Sequence, residues 1–245
     1  MEDDISRTFK YASDFYLQRL GLIIVFSVPF IFAFLIPVLV AAPTYLSLGG
    51  VFLRTGSTPE LSLFDITVTA AAYAAAVFLI ADTIVNINII VRSKRTLNVI
   101  SQEILSAMGS HATRIFYIYT LALLLLLVVQ LLTYESPFRS WIFPAFSLML
   151  SYLLFFVPPA VVIDNSDTAD AIRRSVYMAL KNPHLVLLWS LLGLFSISVL
   201  KVGGDFLFSS PFSSYFVLIA NSLLLLPFLT VLQTQMYMEK YPLAR

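Results

Sequence analysis

Long apolar runs, separated by short polar segments, divide this chain into six stretches. A helix needs about 20 mostly apolar residues to cross about 30 Å of hydrocarbon. The run 121–129 is apolar on every side, whereas a membrane β-strand alternates apolar and polar residues. The pattern predicts an all-α polytopic membrane helix bundle, with a single transmembrane domain over 1–245. The six predicted transmembrane helices are 20–42, 66–91, 115–134, 141–163, 185–202 and 212–238.

Lysine and arginine residues are distributed unevenly between the two sets of connecting segments. One side has only Arg54, Arg139 and Lys201, and the other has twelve. Because cytoplasmic loops carry the excess of basic residues, we expect a cell-membrane protein with both termini in the cytoplasm. The twelve are Arg7, Lys10, Arg19, Arg92, Lys94, Arg95, Arg114, Arg173, Arg174, Lys181, Lys240 and Arg245.

Three shorter segments on the predicted cytoplasmic side precede the first, third and fifth spans. In each, apolar side chains recur at i, i+3 or i+4, with charged and polar residues opposite. This spacing predicts three cytoplasmic amphipathic helices, which lie in the headgroup plane or pack under the bundle. The apolar positions are Ile5, Phe9, Ala12 and Tyr16; Leu97, Ile100, Ile104 and Met108; and Ile172, Val176, Ala179 and Leu180.

One amphipathic helix followed by two spans would form a unit that occurs three times, a threefold internal repeat. The first and third copies match Ile5 with Ile172 and Arg7 with Arg174, whereas the middle copy shares only the apolar spacing. The alternative is that any hairpin of spans needs an interfacial helix before it. The sequence leaves both interpretations open.

The composition excludes several classes of protein. Hydrophobic residues make up 59% of the 245 residues and charged residues 12%, about half the share in a soluble domain. The absence of cysteine excludes a disulfide scaffold, and a net charge of +1 argues against a nucleic-acid partner. Membrane lipids are the expected surroundings.

Motifs that carry catalytic or cofactor chemistry are missing from the sequence. There is no phosphate-binding loop, nucleophile elbow or intramembrane protease dyad, so we expect no enzyme and no cofactor. His111 and His184 are the only histidines, and the acids cluster in loops, so we expect no metal site. The segment Gly203, Gly204 and Asp205 is interpreted as an outer turn.

Asp82 is an acid well inside a predicted span, about ten residues before Arg92 at the cytoplasmic boundary. An ionised carboxylate in hydrocarbon costs several kcal/mol unless it is protonated, paired or facing water, so a functional role is the default hypothesis. Thr83, Asn86 and Asn88 add polar atoms nearby, and the four residues would line an ion or proton pathway. The alternative is a buried hydrogen-bonded cluster that fixes helix packing.

Basic residues next to the predicted spans are candidates for contact with lipid headgroups. The candidates are Arg92, Lys94 and Arg95 after the second span, and Arg173 and Arg174 before the fifth. A basic side chain near an anionic surface contributes about 1 kcal/mol. The positive-inside rule explains the same residues without any specific lipid.

The segment 161–175 ends the fourth span and begins a helix. Asp167 or Thr168 is placed to accept hydrogen bonds from the first-turn N–H groups, and the nearby acids complement the positive end of the helix dipole. Lys181 complements the other end, and Asn182 with Pro183 stops the helix.

This segment resembles a loose group of poorly characterised bacterial and archaeal six-span membrane proteins, which includes the membrane domain of some glycerophosphodiester phosphodiesterases. The matching residues cover about 30 positions and are Phe156, Pro158, Pro159, Asp164, Ala171, Ile172, Arg173, Arg174, Ser175, Asn182 and Pro183. The resemblance implies a helical multi-span protein of unassigned activity. In that group the phosphodiesterase activity belongs to a separate soluble domain, for which this chain has no room.

Two functions from different classes remain. The first is a non-enzymatic membrane subunit or scaffold that acts through a protein partner or as a homo-oligomer. The alternative is a small transporter or channel that uses the polar cluster around Asp82. The near absence of intramembrane chemistry favours the first.

Overall fold

The computed structural model describes residues 2–36, 63–96, 102–209 and 212–240, and the elements within these ranges are helical. In chain order the helices are α1 (Glu2–Gln18), α2 (Leu20–Ile36), α3 (Leu63–Thr96), α4 (Gln102–Leu132), α5 (Arg139–Leu153), α6 (Val157–Ile163), α7 (Thr168–Lys181), α8 (Pro183–Leu207), α9 (Phe212–Ala220), the π-helical segment Asn221–Leu225, and α10 (Leu226–Lys240).

The helix lengths confirm an all-α bundle of a multi-pass membrane protein. Within the described residues, five helical stretches are long and apolar enough to cross a membrane: Ile66–Ser93, Gly109–Leu132, Arg139–Ile163, Pro183–Leu207 and Phe212–Glu239. The first predicted span corresponds to α2, which meets α1 at an 88° bend. Positions 37–42 of that predicted span lie outside the described residues.

The hydrophobic core lies at one end of the bundle, which we call the arginine-rich end because Arg92, Arg114 and Arg174 lie there. Helices α3, α6 and α10 all run toward this end and pack against one another. Ile87, Val161 and Leu232 are almost fully buried between them. Toward the opposite end, the far end, most side chains of α3, α4 and α8 are exposed. Only 11% of the most apolar stretch of α4, and likewise of α8, is buried inside the protein.

The three segments predicted to precede the odd-numbered spans join those spans differently. The first is α1, which meets α2 at the bend around Arg19. In the middle copy, the part from Gln102 onward continues without a break into α4, and 97–101 lie outside the described residues. The third is α7, which ends at Asn182, and Pro183 begins α8. In each of the three predicted units, the second span contributes a helix to the common core. These helices are α3, α6 and α10.

The interpretation of Gly203, Gly204 and Asp205 as an outer turn is wrong, because α8 continues through them to Leu207. Gly204 is buried against α9. A β-carbon there would lie 3.1 Å from the hydroxyl of Ser213 and 3.2 Å from Phe216. Asp205 accepts hydrogen bonds from Ser213 and from Lys201 at 2.5 and 2.9 Å. The missing side chain therefore lets α8 and α9 approach closely.

We expect Gly204→Leu to lower the melting temperature in detergent, since the added side chain must separate α8 from α9. Overpacking of this kind costs about 1–3 kcal/mol, which exceeds the gain of about 1 kcal/mol from replacing a helical glycine. The matched control is Gly203→Leu, because a β-carbon at Gly203 meets nothing within 4 Å. Equal melting temperatures for the two variants would contradict the close approach.

Candidate functional site

Arginines from two helices hold the end of α6 and the loop that follows it. The Nη1 atom of Arg92, from α3, donates to the carbonyl of Val162 at 2.7 Å. The Nη1 atom of Arg114, from α4, donates to the carbonyl of Ser166 at 3.1 Å. The last carbonyls of a helix lack intrahelical donors and carry partial negative charge. The two guanidinium groups therefore complement the C-terminal end of α6 and fix its loop.

Asp164, the first residue of this loop, is the centre of a second polar contact. Arg174 from α7 donates to Oδ2 of Asp164 at 2.6 Å, and the hydroxyl of Tyr237 from α10 donates to the same oxygen at 2.5 Å. The hydrogen bond to Asp164 raises the pKa of Arg174 above its usual value. Arg174 therefore stays charged, and the contact ties α6, α7 and α10 together.

The remaining loop residues are held more weakly. Asn165 has φ of 50°, in the left-handed region that asparagine tolerates, and its Oδ1 accepts a long hydrogen bond of 3.4 Å from Arg114. Asp167 lies 3.5 Å from Arg114, but its side chain is 83% exposed, so solvent weakens this pair. Asp167 occupies the N-cap of α7, but the side-chain hydrogen bond to the first turn that the sequence predicts is not formed.

Ser175 holds the break between α5 and α6. Its hydroxyl accepts from the backbone N–H of Phe156 at 2.9 Å and donates to the carbonyl of Leu153 at 2.7 Å. The carbonyl of Phe155 accepts from the side chain of Gln233 on α10. These contacts satisfy backbone N–H and carbonyl groups that have no helical partner where α5 ends. They therefore stabilise the break between α5 and α6.

The polar residues predicted to cluster around Asp82 have different hydrogen-bond partners in the structure. Asn86 donates to Oδ2 of Asp82 at 3.1 Å, so these two form a pair on α3. The hydroxyl of Thr83 donates to the carbonyl of Leu79 one turn earlier. Asn88 accepts from Thr234 on α10. Asp82 and Asn86 therefore lie on one face of α3, whereas Asn88 lies on the face that contacts α10.

Asp82 lies level with α1 along the bundle. Helices α3 and α10 run in the same direction and are in register where Asn88 bonds Thr234. Six residues earlier along each helix are Asp82 and Phe228. The ring of Phe228 packs edge to face against Phe9 and Tyr16 of α1, with centroids 5.9 and 5.5 Å away. Asp82 therefore lies at about the same level along the bundle as Phe228 and the part of α1 that Phe228 contacts.

Three buried side-chain atoms among the described residues have no hydrogen-bond partner: Oδ1 of Asn86, Nδ1 of His111 and Oγ of Ser166. Leaving such an atom unpaired costs about 1–3 kcal/mol. Asn86 belongs to the pair with Asp82. His111 precedes Arg114 by one turn, and Arg114 in turn bonds the backbone of Ser166.

The residues predicted to contact lipid headgroups have different surroundings. Arg92 and Arg174 are half-buried and bond Val162 and Asp164 within the protein. Arg173 is exposed. The side chains of Lys94 and Arg95 lie outside the described residues. Two of the five candidates thus have a structural role that the sequence did not indicate.

Sequence reasoning missed Tyr237 and Ser175, which bond Asp164 and the α5–α6 break. The local sequence assigns no role to Tyr237, and Ser175 ends a segment in which helix-capping chemistry explains the neighbouring residues. Neither partner is close in sequence, since Tyr237 and Asp164 are 73 positions apart and Ser175 and Phe156 are 19 apart. No local signal therefore points to these pairs.

Comparison with known proteins adds no family to this description. No family model, curated protein or solved structure matches the chain. Within the described ranges, no three histidine, cysteine, aspartate or glutamate side chains are grouped as metal ligands would be.

Proposed function

We propose that this multi-pass membrane protein is a non-enzymatic subunit that acts by binding partner helices within the bilayer. The observation that carries the proposal is the surface of α5. None of its 15 residues is buried, although the helix is apolar and belongs to a membrane-spanning stretch. A helix in the middle of a folded chain that buries no residue offers its surface to lipid or to another protein.

One lateral face of α5 has the small residues that favour helix association. Ser140, Pro144, Ser147 and Ser151 follow at intervals of four, three and four, which places them on one face. All but the half-buried Ser147 are exposed. Small side chains let helix backbones approach closely, and serine hydroxyls bond across helices. Pro144 also has no N–H to donate to the carbonyl of Ser140, so this carbonyl is open to a donor from a neighbour.

The arginine-rich end supports a structural rather than a chemical role. Arg92, Arg114 and Arg174 come from two connections that the charge pattern predicts to be cytoplasmic, and they meet at one end of the bundle. Their donors are engaged with the protein's own backbone and with Asp164. We infer that this end faces the cytoplasm, as do both termini. We also infer that it is rigid and holds the helices in place where they extend toward the far end.

Transport through the polar residues around Asp82 is the alternative. It would draw on the Asp82–Asn86 pair and the unpartnered Oδ1 of Asn86. Asn88 bonds Thr234 of α10 and not this pair, and no second intramembrane acid or base lies beside the pair among the described contacts, so transport has less support than partner binding.

The test is native mass spectrometry of the protein extracted with its surrounding lipids. We expect a second chain, from another protein or a second copy, in a fixed ratio to this one. Ser151→Phe should reduce the bound second chain at least tenfold, because the ring separates the two helices. The matched control, Ser198→Phe, replaces an exposed serine of α8 and should leave the complex intact.

A wild-type particle without a second chain would contradict the proposal, as would equal retention in both variants. In that case a flux assay on Asp82→Asn, which keeps the side-chain shape and removes the charge, becomes the deciding measurement for transport.

A further inference from the structure

A crevice of about 500 Å³ opens on the side of the bundle, away from the polar contacts of the arginine-rich end. Tyr16, Leu17 and Leu20 form one wall, at the bend between α1 and α2. Ser196 and Leu200 of α8 form another, and Leu224 of the π-helical segment closes the inner side. The crevice is open to its surroundings, since Leu17 is 68% exposed.

The lining of the crevice is suited to a hydrocarbon chain. Apart from Ser196, its polar group is the hydroxyl of Tyr16, which already donates to the carbonyl of Leu224 at 3.0 Å. This bond satisfies a carbonyl within the π-helical segment. A polar ligand would find almost no partner inside the crevice, whereas an alkyl chain would gain about 25 cal/mol for each Å² of apolar surface that it buries from water.

The crevice extends along the helices of the bundle, which is also the direction of a lipid chain in a membrane. Nε1 of Trp189 on α8 donates to the carbonyl of Leu229 on α10 at 2.7 Å, which sets these helices in register. Leu200 lies eleven residues beyond Trp189 toward the far end, or about 16 Å by helical rise. The lining from Phe228 to Leu200 thus extends from the level of α1 toward the far end of the bundle.

Arg19 is a basic residue next to the crevice lining in the sequence. It lies at the 88° bend, immediately before the lining residue Leu20, and it is exposed. If α2 crosses the membrane, a helix at 88° to it lies along the membrane surface, so the bend is at headgroup depth. No ion pair joins Arg19 to an acid among the described residues. A guanidinium group at this depth attracts the phosphate of a lipid.

We propose that the crevice binds an acyl chain of an anionic phospholipid whose phosphate contacts Arg19. The volume of the crevice, its apolar lining, its direction toward the far end and the exposed cation next to Leu20 fit an occupant with a hydrocarbon tail and a negative headgroup. The site is separate from the α5 surface, so it does not depend on the proposed partner.

Lipid retention by the purified full chain tests this site. Detergent-purified protein is exchanged into an equimolar mixture of dioleoylphosphatidylglycerol and dioleoylphosphatidylcholine and examined by native mass spectrometry. We expect one retained phosphatidylglycerol per chain, at least tenfold above phosphatidylcholine. Ser196→Trp, which fills the crevice, should lower retention at least tenfold. Ser198→Trp, the same change on an exposed face of α8, should not change it.

Arg19→Gln separates the headgroup from the tail. We expect this variant to retain lipid but to lose the preference for phosphatidylglycerol. Equal retention by wild type and Ser196→Trp would overturn the crevice as the site, and an unchanged preference in Arg19→Gln would overturn the role of Arg19. If Ser196→Trp melts below wild type, Val199→Trp, at an exposed lining position, takes its place with the same expected loss.

Discussion

Ser175→Ala is expected to destabilise the protein by about 3 kcal/mol, although it removes a single oxygen atom. The side chain is fully buried and satisfies two backbone groups at once, the N–H of Phe156 and the carbonyl of Leu153. Each buried group left unpaired costs about 1–3 kcal/mol. For a chain of this size a loss of 3 kcal/mol corresponds to about 6–12 °C in melting temperature, measured in detergent.

The control for this change is Ser198→Ala. Ser198 is exposed, and its hydroxyl bonds only the carbonyl of Leu194, one turn earlier in its own helix. That carbonyl keeps its backbone partner when the hydroxyl is removed, so the melting temperature should change by less than about 2 °C. Similar melting temperatures for the two variants would show that Ser175 does not hold the break between α5 and α6.

Arg174→Met is expected to cost about 2 kcal/mol because it leaves Asp164 without its charged partner. The side chain of Asp164 is only 15% exposed, and Tyr237 alone would then stabilise the carboxylate. Removing one member of a buried ion pair costs about 3–5 kcal/mol, and we lower this value because the side chain of Arg174 is 43% exposed. The expected drop in melting temperature is about 4–8 °C.

The adjacent Arg173 provides a matched control. Arg173→Met changes the same residue type on the exposed face of α7 and should melt close to wild type. Adding Asp164→Asn to Arg174→Met should restore part of the stability, since a neutral amide no longer needs the cation and still accepts from Tyr237. If the double variant melts below Arg174→Met, an unpaired charge on Asp164 is not the cause of the loss.

The two predictions concern the same loop and its neighbours, so together they test whether the arginine-rich end is rigid. Asp164 joins α6, α7 and α10, and Ser175 joins α7 to the break between α5 and α6. A large loss from each change would show that the polar contacts between helices, and not only their apolar burial, stabilise this end.

The sequence by itself determined which parts of the chain are membrane helices. The free energy of transferring a segment into hydrocarbon depends on its local composition. Because a segment in lipid must satisfy its backbone hydrogen bonds internally, it forms a helix. The length of an apolar run therefore predicts a membrane span. The predicted spans 66–91, 141–163 and 212–238 agree with the described helical stretches to within a few residues at each end. The helical residues 168–181 and their stop at Asn182 likewise follow from local chemistry.

Only the tertiary structure decided which polar residues meet. Asp82, Asn86 and Asn88 are neighbours in sequence, but a rotation of about 100° per residue keeps Asp82 and Asn86 on one face of α3 and places Asn88 on another, where it bonds Thr234 of α10. Conversely, Asp164 and Tyr237 meet because α6 and α10 pack against each other, and Gly204 lets α8 and α9 approach closely where the sequence predicts a turn. Side-chain partners across helices depend on packing and register, which the local sequence does not encode.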